Sequence, residues 1–125
     1  MAEGLLKSFD PELEVYSAGT KPADKVNPFA ILTMKEICID ISVNFPKNVN
    51  RFINQSFDYV ITVCDNAKET CPVFTAQVKN RLHFAFEDPA DALGNDTEVL
   101  TVFRRIRDEI KNRFYQFYIN TLTRE

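Results

Sequence analysis

Apolar and polar positions along the chain change period several times, and each change predicts an element. Residues 1–8 read as a helix in which Leu5, Leu6 and Phe9 face a core, and Asp10-Pro11 stops it. Leu13-Glu14-Val15-Tyr16-Ser17 alternates apolar with polar and predicts a strand, ended by Ala18-Gly19-Thr20. Asn27-Pro28 is a helix start, with Asn as cap and Pro in the first turn. Phe29, Ile31, Leu32, Met34 and Ile37 then supply its apolar face. A short apolar segment follows at Ile39 and Ile41, and Asn50–Ile53 predicts a short helix. Phe57–Val63 carries the strongest strand pattern, and Leu82–Phe86 predicts another strand that ends at Glu87-Asp88-Pro89. The final helix begins near Asp96 or Thr97. Its stripe of Val99, Phe103, Ile106, Ile110, Phe114 and Phe117 advances by threes and fours. Arg104, Arg105, Arg107, Asp108, Lys111 and Asn112 fall mostly on the opposite, solvated face. Strands alternating with helices predict an α/β fold layered around a parallel sheet.

Composition narrows the function classes. The 125 residues suit a single domain spanning 1–125, and 45% hydrophobic with 26% charged residues is ordinary for a globular protein. A net charge of −3 gives no electrostatic basis for nucleic-acid binding. No apolar run approaches the ~18–20 residues that cross a bilayer, and no signal-peptide pattern opens the chain. A cytoplasmic protein without membrane contact is therefore the expectation.

The candidate chemistry lies in sulfur. The apolar run Tyr59-Val60-Ile61-Thr62-Val63 leads into Cys64, and Cys71-Pro72 follows one loop later. A thiol at the carboxyl end of a buried strand sits where open α/β sheets place their sites. Zinc is disfavoured: the chain has one histidine, His83, and Cys64-x6-Cys71 is too wide for a knuckle. Were residues 64–71 one helix, the two thiols would share a face but stand roughly 10.5 Å apart along its axis. A disulfide needs Cα atoms within about 7 Å. The intervening segment must therefore unwind to form the bond, and Asp65, Asn66 and Thr70 are weak helix formers. Asp88-Pro89 is a second candidate: a turn, or a general-acid carboxyl at a strand end. His83 lies inside a strand and reads as a core or surface residue rather than a base.

The segments Val15-Tyr16-Ser17-Ala18-Gly19, Val26-Asn27-Pro28, Met34–Ser42, Val60–Cys64, Cys71-Pro72, His83–Ala90 and Arg105–Ile110 occur in an order and spacing that resemble one family. It is the thioredoxin-coupled arsenate reductases, built on the low-molecular-weight protein tyrosine phosphatase fold. The resemblance covers almost the whole chain and implies a three-layer sandwich with a parallel sheet. It also implies conversion of arsenate to arsenite. A Cys-x5-Arg loop binds the oxyanion and attacks arsenic, a second Cys attacks the first, a third attacks the second, and thioredoxin reduces the resulting disulfide. Carried over by residue, Cys64 takes the second role, Cys71 the third and Asp88 that of general acid. A phosphatase of the same fold, or a non-catalytic thiol switch or binding module, are the alternative readings.

The chain also departs from the family. The Cys-x5-Arg loop and the first, central strand are absent: position 44 is Asn, 70 is Thr and 77 is Gln, so no Cys is followed by Arg at the sixth place. The expectation is an N-terminally truncated domain, inactive by itself. Its strand gap should close up or be filled by a strand-swapped or edge-paired second chain. Glu3 and Ser17 match two ligands of the potassium ion that some members hold, but Lys47 stands where an acidic ligand belongs, so an ammonium group can substitute for the ion. Cys38 replaces the Gly that ends the preceding helix, which requires a strained left-handed residue or a different helix end.

Overall fold

The computed structural model describes residues 1–18, 26–42, 44, 47–52, 54–63 and 77–122. Cys64, Cys71 and the segment between them lie outside the described residues, as do Gly19 and Thr20.

Helix α1 spans Ala2–Phe9 and stops at Asp10, whose extended backbone (φ −153°, ψ 105°) is the conformation a following proline imposes. Helix α2 spans Pro28–Lys35, and the Asn27 side chain accepts the Phe29 N–H at 2.8 Å. Val49–Phe52 is a single 3-10 turn. Strands β1 (Ser56–Thr62) and β2 (Gln77–His83) pair in parallel, in register from Ser56 opposite Gln77 to Thr62 opposite His83. After a 3-10 turn at Pro89–Asp91, α3 runs Asp96–Phe117 from an Asn95 cap whose side chain accepts the Glu98 N–H at 2.9 Å. The α/β organisation with a parallel sheet is the one that the pattern predicts.

Helix α3 organises the core. Phe103, Ile106, Ile110, Phe114 and Phe117 are buried, as the stripe requires, against Leu5 and Leu6 of α1 and Ala30 and Met34 of α2. Tyr59 of β1 meets Phe117 edge-on at 5.3 Å, and Phe84 just past β2 meets Phe114 at 5.3 Å, which seats the sheet on this helix. Gly4 lets α1 approach the 39–41 segment, because a Cβ there would stand 2.7 Å from the Ile41 methyl.

Several expectations need correction. Leu13–Ser17 forms no strand: alternation makes a segment fit for a ladder but does not supply a partner. Among the described residues β1 pairs with β2 alone. Tyr16 instead lies against Phe52 and Phe57, at ring distances of 5.3 and 6.0 Å. The second strand starts at Gln77, not Leu82, and ends at His83. Apart from half-buried Val78, its first five residues are polar and exposed, with Ser56 bonded to Gln77 and Asn80 to the Asp58 carbonyl, so no sustained apolar alternation marks it. Leu32 is 52% exposed, since the stripe that α2 buries runs through Ala30, Thr33 and Met34. Arg107 is buried rather than solvated. Its position, four after Phe103 and three before Ile110, puts it on the inward stripe.

Candidate active site

The carboxyl end of the sheet is where the sequence places the chemistry. The last paired residues are Thr62 and His83, joined by a 2.6 Å hydrogen bond between Thr62 Oγ1 and His83 Nδ1. The Phe84 N–H donates to the Thr62 carbonyl at 2.9 Å, so the two strand ends stay together for one residue more. Val63, 43% exposed, is the final described residue before Cys64. His83 is therefore the last residue of its strand, at the mouth of the sheet.

Asp88 follows β2 by five residues and is exposed. Its carboxylate Oδ1 accepts the Ala90 N–H at 3.0 Å and its carbonyl accepts the Asp91 N–H at 3.1 Å, so Asp88-Pro89 is a capped turn. A turn and a general acid are compatible, because the turn fixes where the carboxyl stands. Next to it, Arg105 of α3 bridges Glu87 at 2.9 Å and Glu109 at 3.2 Å. An open groove of about 540 Å³ lies between residues 83–86 and α3, with the Arg113 guanidinium 4.1 Å above the Phe84 ring. Asp88 does not line it.

A second cluster joins α1 to two distant segments. Glu3 Oε1 accepts the Ser17 hydroxyl at 2.5 Å and lies 3.8 Å from Lys47 Nζ, while Oε2 accepts from Lys7 at 3.2 Å. The side chains of Glu3 and Lys47 are only 9% and 13% exposed. Burial works to raise the Glu3 pKa, but the Ser17 and Lys7 hydrogen bonds and the Lys47 charge outweigh it and hold the carboxyl below its usual range. Glu3 and Ser17 thus meet, yet the set does not fit a potassium ion. A second monovalent cation about 4 Å from the Lys47 ammonium would be repelled by about 4 kcal/mol at an effective dielectric near 20. Among the described residues no group of three or more His, Cys, Asp or Glu is placed to hold a metal.

At the end of α2, Cys38 adopts φ 65° and is exposed. Its N–H donates to the Lys35 carbonyl at 2.9 Å and the Ile39 N–H to the Met34 carbonyl at 3.0 Å. This is the Schellman closure that glycine normally makes, so the left-handed option holds. Beside it lies a feature that the sequence reading missed. Arg107 Nη1 donates to the Thr33 carbonyl and to Glu36 Oε1, each at 2.8 Å, while Arg104 grips Glu36 through Nε and Nη2. A basic residue on the buried stripe of α3 was the available signal.

The profile of the family described as "Low molecular weight phosphotyrosine protein phosphatase" matches residues 1–125. A Halalkalibacterium halodurans protein named arsenate reductase is 46% identical over 118 residues, covering 94% of this chain and 84% of its own. A Bacillus subtilis protein of the same name is 42% identical over the same coverage. Among solved structures, an arsenate reductase in the reduced state superposes with a TM-score of 0.74 at 28% identity, covering 95% of this chain and 86% of that one. An arsenate reductase in the phosphate-binding state gives 0.75 at the same identity and coverage. Among the described residues, no helix is long and apolar enough to cross a membrane.

Proposed function

Because the chain belongs to the low-molecular-weight phosphotyrosine protein phosphatase family, we propose that it supplies the relay half of an arsenate reductase. The observation that carries this reading is the 46% identity to an arsenate reductase across 94% of the chain. The phosphate-binding state of a structural neighbour supports an oxyanion as the substrate class. Cys64 attacks the sulfur of a loop cysteine that carries arsenic. The sulfur–arsenic bond breaks, its electron pair goes to arsenic, and arsenite departs. Cys71 then attacks Cys64, which frees the loop thiol and leaves a Cys64–Cys71 disulfide. A thioredoxin dithiol reduces that disulfide and becomes oxidised in turn. In the step before these, the loop thiol bonds to arsenic as an arsenic–oxygen bond of arsenate breaks, and Asp88, held by its turn at the end of the sheet, gives the departing oxygen a proton so that it leaves as water.

Residues 1–125 contain no Cys-x5-Arg, and the reading assigns them no turnover by themselves. The test is thioredoxin-coupled arsenate reduction by residues 1–125, alone and with an N-terminal strand and Cys-x5-Arg loop of the family pattern supplied. Background activity alone, turnover with the loop, and loss of that turnover in Cys64→Ser support the relay. Turnover by residues 1–125 alone, or a Cys64→Ser form that still reduces arsenate, overturns it. The family's own description favours a second reading, a phosphotyrosine phosphatase. In that case the looped protein hydrolyses phosphotyrosine and tolerates Cys64→Ser.

A further inference from the structure

We propose that Lys47 is a built-in cation for the Glu3–Ser17 site, so that this chain requires no monovalent metal ion there. The inference concerns the described fold alone and stands whether or not the reductase reading does.

A carboxylate this buried must be neutralised by a partner or it destabilises the fold. Ser17 supplies one hydrogen bond but no charge, and it ties α1 to the 14–18 segment. Lys7 supplies charge, but it sits one turn along α1 itself and is 49% exposed, so it joins nothing to α1 and keeps most of its hydration. Lys47 is the cation that is both shielded and brought from elsewhere in the chain, 3.8 Å from the same oxygen that Ser17 contacts. The ammonium therefore performs two tasks that a bound ion would otherwise share: it balances Glu3 and pins α1 to the chain just before the Val49–Phe52 turn. An acidic residue at position 47 would set two carboxylates against each other, and only a cation from solution could hold them together.

Thermal unfolding in potassium, sodium and tetramethylammonium chloride at equal ionic strength tests this. Glu3→Gln, which removes the carboxylate, defines the non-specific salt response. Relative to it, wild type should unfold at the same temperature in all three salts. Lys47→Asp should unfold at a lower temperature in tetramethylammonium and regain about 4 °C in potassium. A wild-type midpoint that rises in potassium relative to tetramethylammonium overturns the proposal. Lys47→Met guards against a Lys47→Asp protein that fails to fold. It should lower the midpoint equally in every salt, and that loss should vanish in a Glu3→Gln background. A Lys47→Met protein as stable as wild type overturns the proposal too.

Discussion

The inward face of α3 and the carboxyl end of the sheet are built on opposite principles. The helix face buries Phe103, Ile106, Ile110, Phe114 and Phe117, each at most 8% exposed, against both other helices and the strands. At the sheet end, Val63 and Asp88 are exposed, and Asp88 is held by the hydrogen bonds of its own turn. Stability resides where contacts are dense, and chemistry is offered where they are sparse. Changes in the two regions should therefore separate cleanly in what they affect.

Phe103→Ala should test the dense side hardest. Phe103 is 2% exposed, and its truncation is expected to cost about 3–5 kcal/mol, read as a lowered midpoint in urea. Arg107→Met should cost about 2 kcal/mol in the same measurement, because the Thr33 carbonyl and Glu36 lose a donor that packing alone does not replace. An unchanged midpoint would show that the Arg107 bonds to the Thr33 carbonyl and Glu36 contribute nothing to stability.

Acid sharpens the contrast in a different way. The Glu3 carboxyl titrates lower in the folded chain than in the unfolded one. Its contribution to stability is thus complete above the unfolded value of about 4.3 and fades as pH falls through the folded value. Glu3→Gln should flatten that limb of a stability–pH curve and leave the neutral region lower. Unchanged acid sensitivity would show that Glu3 is not among the groups responsible.

On the sparse side, Asp88→Ala should cost only about 1 kcal/mol, the value of one cap. With the Cys-x5-Arg loop supplied, the same change should slow arsenate reduction by about 100-fold or more if Asp88 is the acid. A large stability loss with little effect on rate would invert the comparison. The smallest effect is expected at Cys38→Gly, which relieves φ 65° and should stabilise by about 0.5 kcal/mol.

Periodicity was sufficient wherever one face of an element meets a dense core. The α3 stripe, the Asn27-Pro28 start, the Asp10 stop and the parallel α/β organisation are all legible because a 3.6-residue repeat or a cap needs no distant partner to be recognised. Cys38 was marked only through a resemblance, as standing where the family has Gly, and the fold decides that it takes the left-handed conformation itself. The polar half of β2 was illegible, since strand pairing there rests on backbone bonds and exposed side chains that leave no apolar rhythm.

Of the candidate site, residue types were readable from the chain and their company was not. The chain alone marked Asp88 as either turn or acid, and the fold shows that its carboxyl caps the turn. It marked Glu3, Ser17 and Lys47 through a resemblance, but only folding brings an ammonium within 3.8 Å of a shielded carboxylate. Likewise Arg107 reads as one basic residue among several until α2 places the Thr33 carbonyl and Glu36 opposite it. Local sequence sets helix stripes and caps through short-range sterics and hydrogen bonds. The neutralisation of a buried charge depends on groups far apart in the chain, and the tertiary structure alone decides which of them meet.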